Sequence, residues 1–384
     1  MVQYSHMNTP LRPQAAKIAQ DLEKKMVFLT GPRQVGKTTL AQSLKSQWSC
    51  IDYLNYDSDN DRSLIVKQQW DRKADLIILD EIHKMKKWKS GLKGIYDTEG
   101  VRPRILVTGS ARMDVYRRGG DSLAGRYFLH HLLPFSVREL RGHASPKKIF
   151  EDLMTFGGFP EPFFLQSEEA AQRWRKTHLE RIVREDVQDL EPVKDIRTLL
   201  LLVDMLRERV GSTISFGSLA NDLHVSYHTV KRWVQILENM YVLFVVPPYH
   251  RNLARAILKE PKIYFYDTGA VRNGKAARLE NTVALCLKKD LLYREDTQGL
   301  ETQLHYVRDK EKREVDFLTL VEGKMELLVE VKLAETDLSR SLAYYHRRLK
   351  PIESLQIVHE TTRRKTVEGI SVLPAAEWLD TLAL

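Results

Sequence analysis

A run of eight residues near the amino terminus has the types and spacing of a phosphate-binding loop. The pattern G-x-x-x-x-G-K-[ST] is matched by Gly31-Pro32-Arg33-Gln34-Val35-Gly36-Lys37-Thr38, which follows the apolar run Met26–Thr30. Glycines in such a loop let backbone N–H groups curl around a phosphate. Lys37 reaches the β- and γ-phosphates of a nucleotide, and the Thr38 hydroxyl holds Mg²⁺. We therefore assign nucleotide binding to the loop and the adjoining Thr39.

Two adjacent acids supply the second half of this chemistry. Asp80 and Glu81 follow the apolar run Leu76–Leu79, which is typical of a buried strand. Asp80 is then placed to hold Mg²⁺ together with Thr38, and Glu81 to act as general base on the attacking water. An ordinary strand ending in two solvated acids is the alternative. Because the sequence has no Asn-Lys-x-Asp guanine motif, the expected ligands are ATP and Mg²⁺.

Two further polar positions are candidates for the same reaction. Ser110 follows the strand-like run Ile105–Thr108, and either its hydroxyl or that of Thr108 is a candidate to bind the γ-phosphate or the attacking water. Arg126 follows Gly125 and is a candidate to neutralise the transferring phosphoryl group, in cis or from a neighbouring subunit. A strand ending in a tight turn and a surface arginine are the alternatives.

A second set of charged residues lies near the carboxyl terminus. Segments 313–320 and 325–332 flank Glu322-Gly323 and predict a hairpin. Glu330 and Lys332 share one strand face, where Asp316 can meet them and Glu280 can join from a helix-like stretch. Carboxylates and a lysine in this D…ExK arrangement predict the metal site of a nuclease. Paired charges on a sheet face are the alternative, and Glu314, facing the other way, is a second candidate for the hairpin acid.

The middle of the chain predicts a winged-helix-like region. Residues 216–246 read as a short helix, a turn at His224-Val225, a second helix that begins after Ser226, and a strand. Tyr227, His228, Lys231 and Arg232 would point outward, where a recognition helix reads the major groove of DNA. A module used only for packing or protein contact is the alternative.

The elements that must position these residues indicate an α/β fold. Strand-like and helix-like stretches alternate through the first third, which predicts a parallel sheet covered on both faces. Helical spacing dominates the middle, and strand signals return in the last third. We predict a P-loop ATPase domain over 1–145, a helical linker with a winged-helix-like domain over 146–250, and a small α/β nuclease-like domain over 251–384.

Composition narrows the class of protein. The chain has 384 residues, with 60 Lys and Arg against 51 Asp and Glu, so its net charge of +9 favours a polyanionic partner such as nucleotide, DNA or RNA. No run approaches the roughly 20 apolar residues of a membrane helix, and the polar amino terminus is no signal peptide. Cys50 and Cys286 stand alone without metal-ligand spacing. A cytoplasmic protein with reduced thiols is expected.

Taken in order, these blocks resemble a bacterial and archaeal family in which an AAA-type P-loop ATPase is joined to a carboxyl-terminal domain of unknown function. That domain is similar to a winged helix followed by a PD-(D/E)xK nuclease-like core. Besides the phosphate loop and Asp80-Glu81, the residues that carry the resemblance are Thr108-Gly109-Ser110, Leu123–Arg126, Gly157–Pro160, Tyr266–Gly269, Glu280-Asn281, Glu314–Asp316 and Glu330–Lys332. The resemblance implies ATP binding and hydrolysis. The chain departs from the nuclease pattern because its hairpin acid is not preceded by proline.

Three functions follow from these observations. The first is an Mg²⁺-dependent ATPase whose nucleotide state is coupled to the carboxyl-terminal domains. The second is a nuclease acting on DNA or RNA that ATP gates. The third is a non-catalytic, nucleotide-switched module that binds DNA or protein. Because ATPases of this class often work as rings, self-association is a further expectation, with Arg126 as the residue that would act between subunits.

Overall fold

The computed structural model describes residues 12–109, 123–187, 195–250, 260–335, 337–361 and 363–384. These residues form two compact units. The first comprises the described residues up to Gly31 together with Val35–Leu132, and the second comprises Pro32–Gln34 and Leu133–Leu384.

The first unit is built on a parallel sheet of five described strands in the order β2-β3-β4-β1-β5. The strands are β1 (Met26–Thr30), β2 (Ile51–Asn55), β3 (Leu76–Asp80), β4 (Arg104–Thr108) and β5 (Tyr127–His131). The described helices are α1 (Gln14–Leu22), α2 (Lys37–Ser43), α3 (Asp59–Lys67) and α4 (Trp88–Glu99). The α/β class is confirmed, and the three strand runs named from the sequence lie on β1, β3 and β4. Strand β5 was not predicted, because its half-buried residues lack the continuous apolar run of its neighbours.

The sheet explains how residues distant in sequence are brought together. Strands β1, β3 and β4 are buried along their whole length, as expected of central parallel strands covered on both faces. They are adjacent and run in the same direction, so their carboxyl ends meet at one edge. Thr30, Asp80 and Thr108 are the last residues of these three strands.

The second unit begins with helices and ends with a mixed sheet. Its described helices are α5 (Pro146–Phe156), α6 (Pro160–Leu165), α7 (Glu168–Arg181), α8 (Ile196–Arg207), α9 (Phe216–Asp222), α10 (Tyr227–Asn239), α11 (Gly274–Gln298), α12 (Arg340–Leu349) and α13 (Ala375–Leu379). A wide helical turn, Ile182–Val187, continues α7. The strands are β6 (Leu243–Val246), β7 (Lys262–Phe265), β8 (Thr302–Arg308), β9 (Glu314–Val321), β10 (Lys324–Ala334), β11 (Glu353–Glu360), β12 (Lys365–Val367) and β13 (Ile370–Pro374).

Two strand pairings in this unit position the residues discussed below. Strands β9 and β10 form the predicted antiparallel hairpin, whose turn residues Glu322 and Gly323 both have positive φ. They belong to a six-stranded sheet in the order β12-β13-β11-β10-β9-β8. Strand β6 pairs antiparallel with β7, across the predicted boundary at residue 250. The predicted domains 146–250 and 251–384 therefore lie in one compact unit, and the boundary between them stays a prediction.

Within the described residues, no helix combines the length and the apolar character that crossing a bilayer demands.

Candidate nucleotide site and a carboxyl-terminal charge cluster

The phosphate loop lies between β1 and α2, as its sequence predicts. Gly31 has φ +146°, and a Cβ at this position would collide with the carbonyl oxygen of Leu132. Gly36, with φ +97°, directly precedes α2. Both positions require glycine, because an L side chain is strained there or has no room.

Lys37 is held against the loop that it follows. Its side chain is buried, and its Nζ donates to the carbonyl oxygen of Gly31 at 3.0 Å. Its positive charge also acts on the nearby Glu81 carboxylate. The ammonium therefore lies at the loop, where a lysine that binds phosphate is needed.

Asp80 is surrounded by hydroxyl groups. Its Oδ2 accepts from the Thr38 hydroxyl at 2.9 Å and from the Tyr53 hydroxyl at 2.7 Å, and its Oδ1 accepts from the Thr108 hydroxyl. The side chain is buried, with 4% of the residue exposed. Thr108, which we considered as a phosphate ligand, thus bonds the acid. Tyr53 was missed by the sequence analysis, because nothing in the run Ile51–Asn55 marks one side chain as facing Asp80.

The Thr38 and Asp80 oxygens suit the metal that the sequence predicts. Mg²⁺ prefers hard oxygen ligands and keeps several waters. Here a hydroxyl and a carboxylate lie within hydrogen-bond distance, and all three partners of the acid are neutral. The negative charge is therefore not cancelled by a bonded cation. Burial and the adjacent carboxylate together raise the pKa of Tyr53 well above its ordinary value.

Glu81 directly follows β3 and has a left-handed backbone conformation. Its φ is +57°, which is uncommon for a residue with a side chain, and its N–H donates to the carbonyl oxygen of Thr108 at 3.0 Å. Burial raises the pKa of its carboxyl, although the charges of Lys37 and Lys84 act in the opposite direction. His83, which was not predicted, approaches Glu81 Oε2 at 3.5 Å through Nε2.

Two side chains in the middle of the loop are bound elsewhere in the second unit. Arg33 Nη1 donates to Glu185 Oε2 at 2.7 Å, and Gln34 Oε1 lies 2.8 Å from His178 Nδ1. His178 stacks on Trp174 with ring centroids 4.4 Å apart. The side chains of Arg33 and Gln34 therefore contact α7 and the turn after it, and only their backbone remains a candidate for phosphate binding.

Arg126 lies at the wrong edge of the sheet for a role in cis. Its carbonyl oxygen accepts from the N–H of Met26, the first residue of β1, whereas the phosphate loop follows the last residue. Five residues of strand, roughly 16 Å, separate the two edges. Its guanidinium binds both carboxylate oxygens of Asp97, at 2.6 and 3.1 Å. The cis role is therefore wrong, and the role between subunits stays a prediction. Ser110 lies outside the described residues.

The four charged residues predicted near the carboxyl terminus do share one region. Glu280 lies on α11, Asp316 on β9, and Glu330 and Lys332 on β10. Asp316 Oδ2 accepts from the N–H of Val331 at 2.9 Å, and Lys332 Nζ donates to Glu330 Oε1 at 2.6 Å. Burial, and then repulsion from Asp316, raise the pKa of both Glu280 and Glu330 to about 7.

A lysine that the sequence analysis missed lies among these acids. Lys262 Nζ contacts Glu314 Oε1 at 2.8 Å, Glu280 Oε1 at 3.1 Å and Asp316 Oδ1 at 3.4 Å. Glu280 Oε1 also accepts from the Tyr264 hydroxyl at 2.6 Å. The cluster is therefore centred on an ammonium group.

This arrangement corrects one prediction. Glu314 does not face away from Asp316, because residues two apart on a strand share a face. The metal site stays a prediction. Within the part of the chain that the structure describes, no three His, Cys, Asp or Glu side chains are grouped as metal ligands. The carboxylates of Glu280, Glu314 and Asp316 converge on Lys262 instead.

Comparison with known families agrees with the geometry of the first unit. Residues 23–141 match the family model described as AAA domain. Residues 147–281 and 275–378 match two models, each described as a domain of unknown function (DUF8612 and DUF4143). The chain thus carries an AAA-type P-loop ATPase domain followed by regions of unknown function. These two parts of the resemblance inferred from the motifs are confirmed, whereas the winged-helix-like and nuclease-like parts stay predictions.

Individual relatives are distant. An uncharacterized protein of Mycobacterium tuberculosis is 29% identical over 260 residues, which are 67% of this chain and 58% of that protein. One from Methanocaldococcus jannaschii is 22% identical, covering 97% of this chain and 93% of its own length. A solved Walker-type ATPase of Pyrococcus abyssi is 16% identical with a TM-score of 0.40, covering 67% of this chain and 93% of that one. The chain spans 58% of the length of the mycobacterial relative.

Proposed function

We propose that this chain, through its AAA-type P-loop domain, binds ATP with Mg²⁺ and hydrolyses it. One observation carries the proposal. The Thr38 hydroxyl and the Asp80 carboxylate, 42 residues apart in sequence, meet at 2.9 Å where the phosphate loop adjoins the end of β3. A threonine of the phosphate loop and an aspartate at the end of the adjacent strand are the two residues that hold a nucleotide-bound magnesium ion in P-loop enzymes.

The residues around this pair divide the reaction between them. Lys37 binds the β- and γ-phosphate oxygens, and Thr38 and Asp80 hold Mg²⁺, which when bound neutralises charge on the same phosphates. Glu81 accepts the proton of the water that attacks the γ-phosphorus, while the bond to the β-bridging oxygen breaks to leave ADP and phosphate. Because burial raises the pKa of Glu81, its carboxylate is a stronger base than an exposed one.

Turnover and binding measured on the same variants test this assignment. Glu81→Gln should lower ATP turnover at least about tenfold and leave ATP affinity within about threefold, because only the base is lost. Lys37→Ala should lower both, because it removes a phosphate contact. Lys45→Ala, at an exposed lysine shortly after α2, is the matched control and should retain both. Unchanged turnover in either site variant would remove that residue from the mechanism.

We further propose that the nucleotide state reaches the carboxyl-terminal unit through the middle of the phosphate loop. Arg33 and Gln34 belong to the same stretch of backbone as the glycines that bind phosphate, and they are bonded to Glu185 and His178. A displacement of the loop backbone by a bound phosphate would therefore also displace α7 and the turn that follows it.

A second candidate function, binding of duplex DNA, is supported by the face that α10 exposes. Ser226 caps this helix by accepting from the N–H of Thr229 at 3.0 Å. The helix buries one face through Val230, Trp233 and Leu237. The side chains exposed on its other face are Tyr227, His228, Lys231, Arg232 and Gln235. A polar and basic face on the second helix of a helix–turn–helix is what major-groove binding uses.

Salt dependence distinguishes DNA binding from a purely structural module. With a fluorescent duplex as probe, Lys231→Ala should weaken binding and reduce the slope of log affinity against log salt by about 1, because one phosphate contact is lost. Lys45→Ala again serves as the control. Equal binding by wild type and Lys231→Ala would exclude this face and leave protein contact or packing as the role of α10.

A further inference from the structure

The carboxylate cluster of the second unit surrounds the ammonium group of a lysine. Lys262 is the first residue of β7, and only 1% of it is exposed. Its ammonium contacts one oxygen from each of Glu280, Glu314 and Asp316, which come from α11 and β9. The three acids are thus gathered from two elements around one nitrogen atom.

The charge on this nitrogen is maintained by the acids around it. A buried ammonium without partners would lose its proton, because burial disfavours the charged form. Here the carboxylates of Glu280, Asp316 and Glu314 outweigh burial and raise the pKa of Lys262 above its ordinary value. The Tyr306 ring, whose centroid lies 5.6 Å from Nζ, also faces the cation.

The ammonium of Lys262 occupies the point on which the three carboxylates converge. Mg²⁺ binds oxygen at about 2.0–2.1 Å and Ca²⁺ at about 2.3–2.6 Å. The oxygens of Glu314, Glu280 and Asp316 stand 2.8, 3.1 and 3.4 Å from Nζ, which are hydrogen-bond and ion-pair distances. A metal bound by the same three oxygens would need the volume that this nitrogen fills. The fourth acid, Glu330, is paired with Lys332 at 2.6 Å.

We infer that Lys262 is the resident cation of this cluster and takes the place of the divalent metal that a nuclease of this architecture would bind. The core of the second unit is therefore a metal-independent unit, in which the D…ExK residues serve stability and not phosphodiester cleavage. This inference does not depend on the proposed ATPase activity, because the residues concerned all lie in the second unit.

Counting the Mn²⁺ ions bound per full-length chain tests the inference. Wild type and Asp316→Asn should bind the same number, because Asp316 holds no metal in either. Lys262→Met should bind about one more than wild type, because it frees three carboxylates for a divalent cation. The double variant Lys262→Met/Asp316→Asn should lose the additional ion. Any Mn²⁺ at the Thr38–Asp80 pair is common to all four proteins and cancels in the comparison.

Lys289 provides a matched control. It is also a buried lysine of the second unit, and it contacts the Glu139 carboxylate and the carbonyl oxygen of Pro134. Lys289 lies outside the cluster of Glu280, Glu314 and Asp316, so Lys289→Met should disturb packing without adding an ion to that cluster. A gain of Mn²⁺ in Lys289→Met would show that the effect is not specific to the cluster.

Two results would overturn the inference. One is fewer Mn²⁺ ions bound to Asp316→Asn than to wild type, because the wild-type cluster would then hold a metal. The other is a folded Lys262→Met protein that gains no ion. Should Lys262→Met fail to fold, the comparison of wild type with Asp316→Asn decides alone.

Discussion

Two buried groups of acids lie next to strands of this protein, one in each compact unit, and they differ in what surrounds them. In the first, the Asp80 carboxylate accepts from three neutral hydroxyls, those of Thr38, Tyr53 and Thr108. In the second, three carboxylates surround the ammonium of Lys262. Both would be read from sequence as magnesium ligands, since Asp and Glu are the residues that magnesium sites use.

The difference shows that the partner, more than the acid, decides what an acidic site can do. Hydroxyls orient a carboxylate and leave its charge in place, so the charge is available to a cation that arrives with a nucleotide. An ammonium that is already bonded offsets part of the negative charge and fills the same volume. Replacement of a partner should therefore have different consequences at the two sites. The loss of stability should differ in size, and so should the ability of the acids left behind to bind a cation.

The largest difference is expected in stability. Lys262→Met leaves three carboxylates without their shared cation, and removal of one partner from a buried ion pair costs about 3–5 kcal/mol. Because the side chains of Glu280, Glu314 and Asp316 are partly exposed, we expect a loss of about 3 kcal/mol. Chemical denaturation, followed by hydrogen exchange in β9 and β10, measures this loss in the second unit.

Tyr53→Phe is the counterpart in the first unit. It removes one neutral donor from Asp80 and leaves two, so the expected loss is about 1–2 kcal/mol, measured by exchange in β2 and β3. If both variants lose the same free energy of unfolding, the charge of the partner does not distinguish the two sites.

Most of the first site could be predicted from the sequence, because its residues either are consecutive or lie at the ends of strands in one parallel sheet. The loop pattern fixes Lys37 and Thr38, and Asp80 follows four apolar residues that predict a central strand. The strand order that the structure shows then brings these residues to one edge of the sheet. The sequence analysis missed Tyr53 and His83, because the orientation of these side chains depends on neighbouring elements and not on any motif.

Only part of the second site could be predicted from the sequence. Alternation along β9 and β10 placed Asp316, Glu330 and Lys332 together, and Glu280 was correctly added from α11. Lys262 could not be found in this way, because it lies on a short strand that pairs with β6 and not with β9 or β10. A single buried lysine in an apolar run, Lys262–Tyr266, was the one signal present. The cis role of Arg126 failed for a related reason, because a motif-like Gly-Arg pair does not reveal which end of its strand it occupies.

The charge balance of the second cluster should also appear as a dependence of stability on pH, with a smaller effect than loss of the lysine. Glu330 has its pKa raised from 4.5 to about 7, first by burial and then by the charge of Asp316. Between those values the folded protein keeps a proton that the unfolded chain has released. The free energy of unfolding therefore falls as pH rises from about 5 to 8, and this group accounts for up to about 3 kcal/mol of the fall.

Glu330→Gln removes this group from the titration, because glutamine keeps a neutral side chain at every pH. At pH 5 the variant should be about as stable as wild type, whose Glu330 is then protonated. At pH 8 it should be more stable than wild type by about 1–3 kcal/mol, because it escapes the cost of a buried charge beside Asp316. Hydrogen exchange of β10 amides at the two pH values measures both differences. Profiles that stay parallel from pH 5 to 8 would mean that Lys332 and the solvent already stabilise the Glu330 carboxylate, and that the cluster is balanced in charge without a proton.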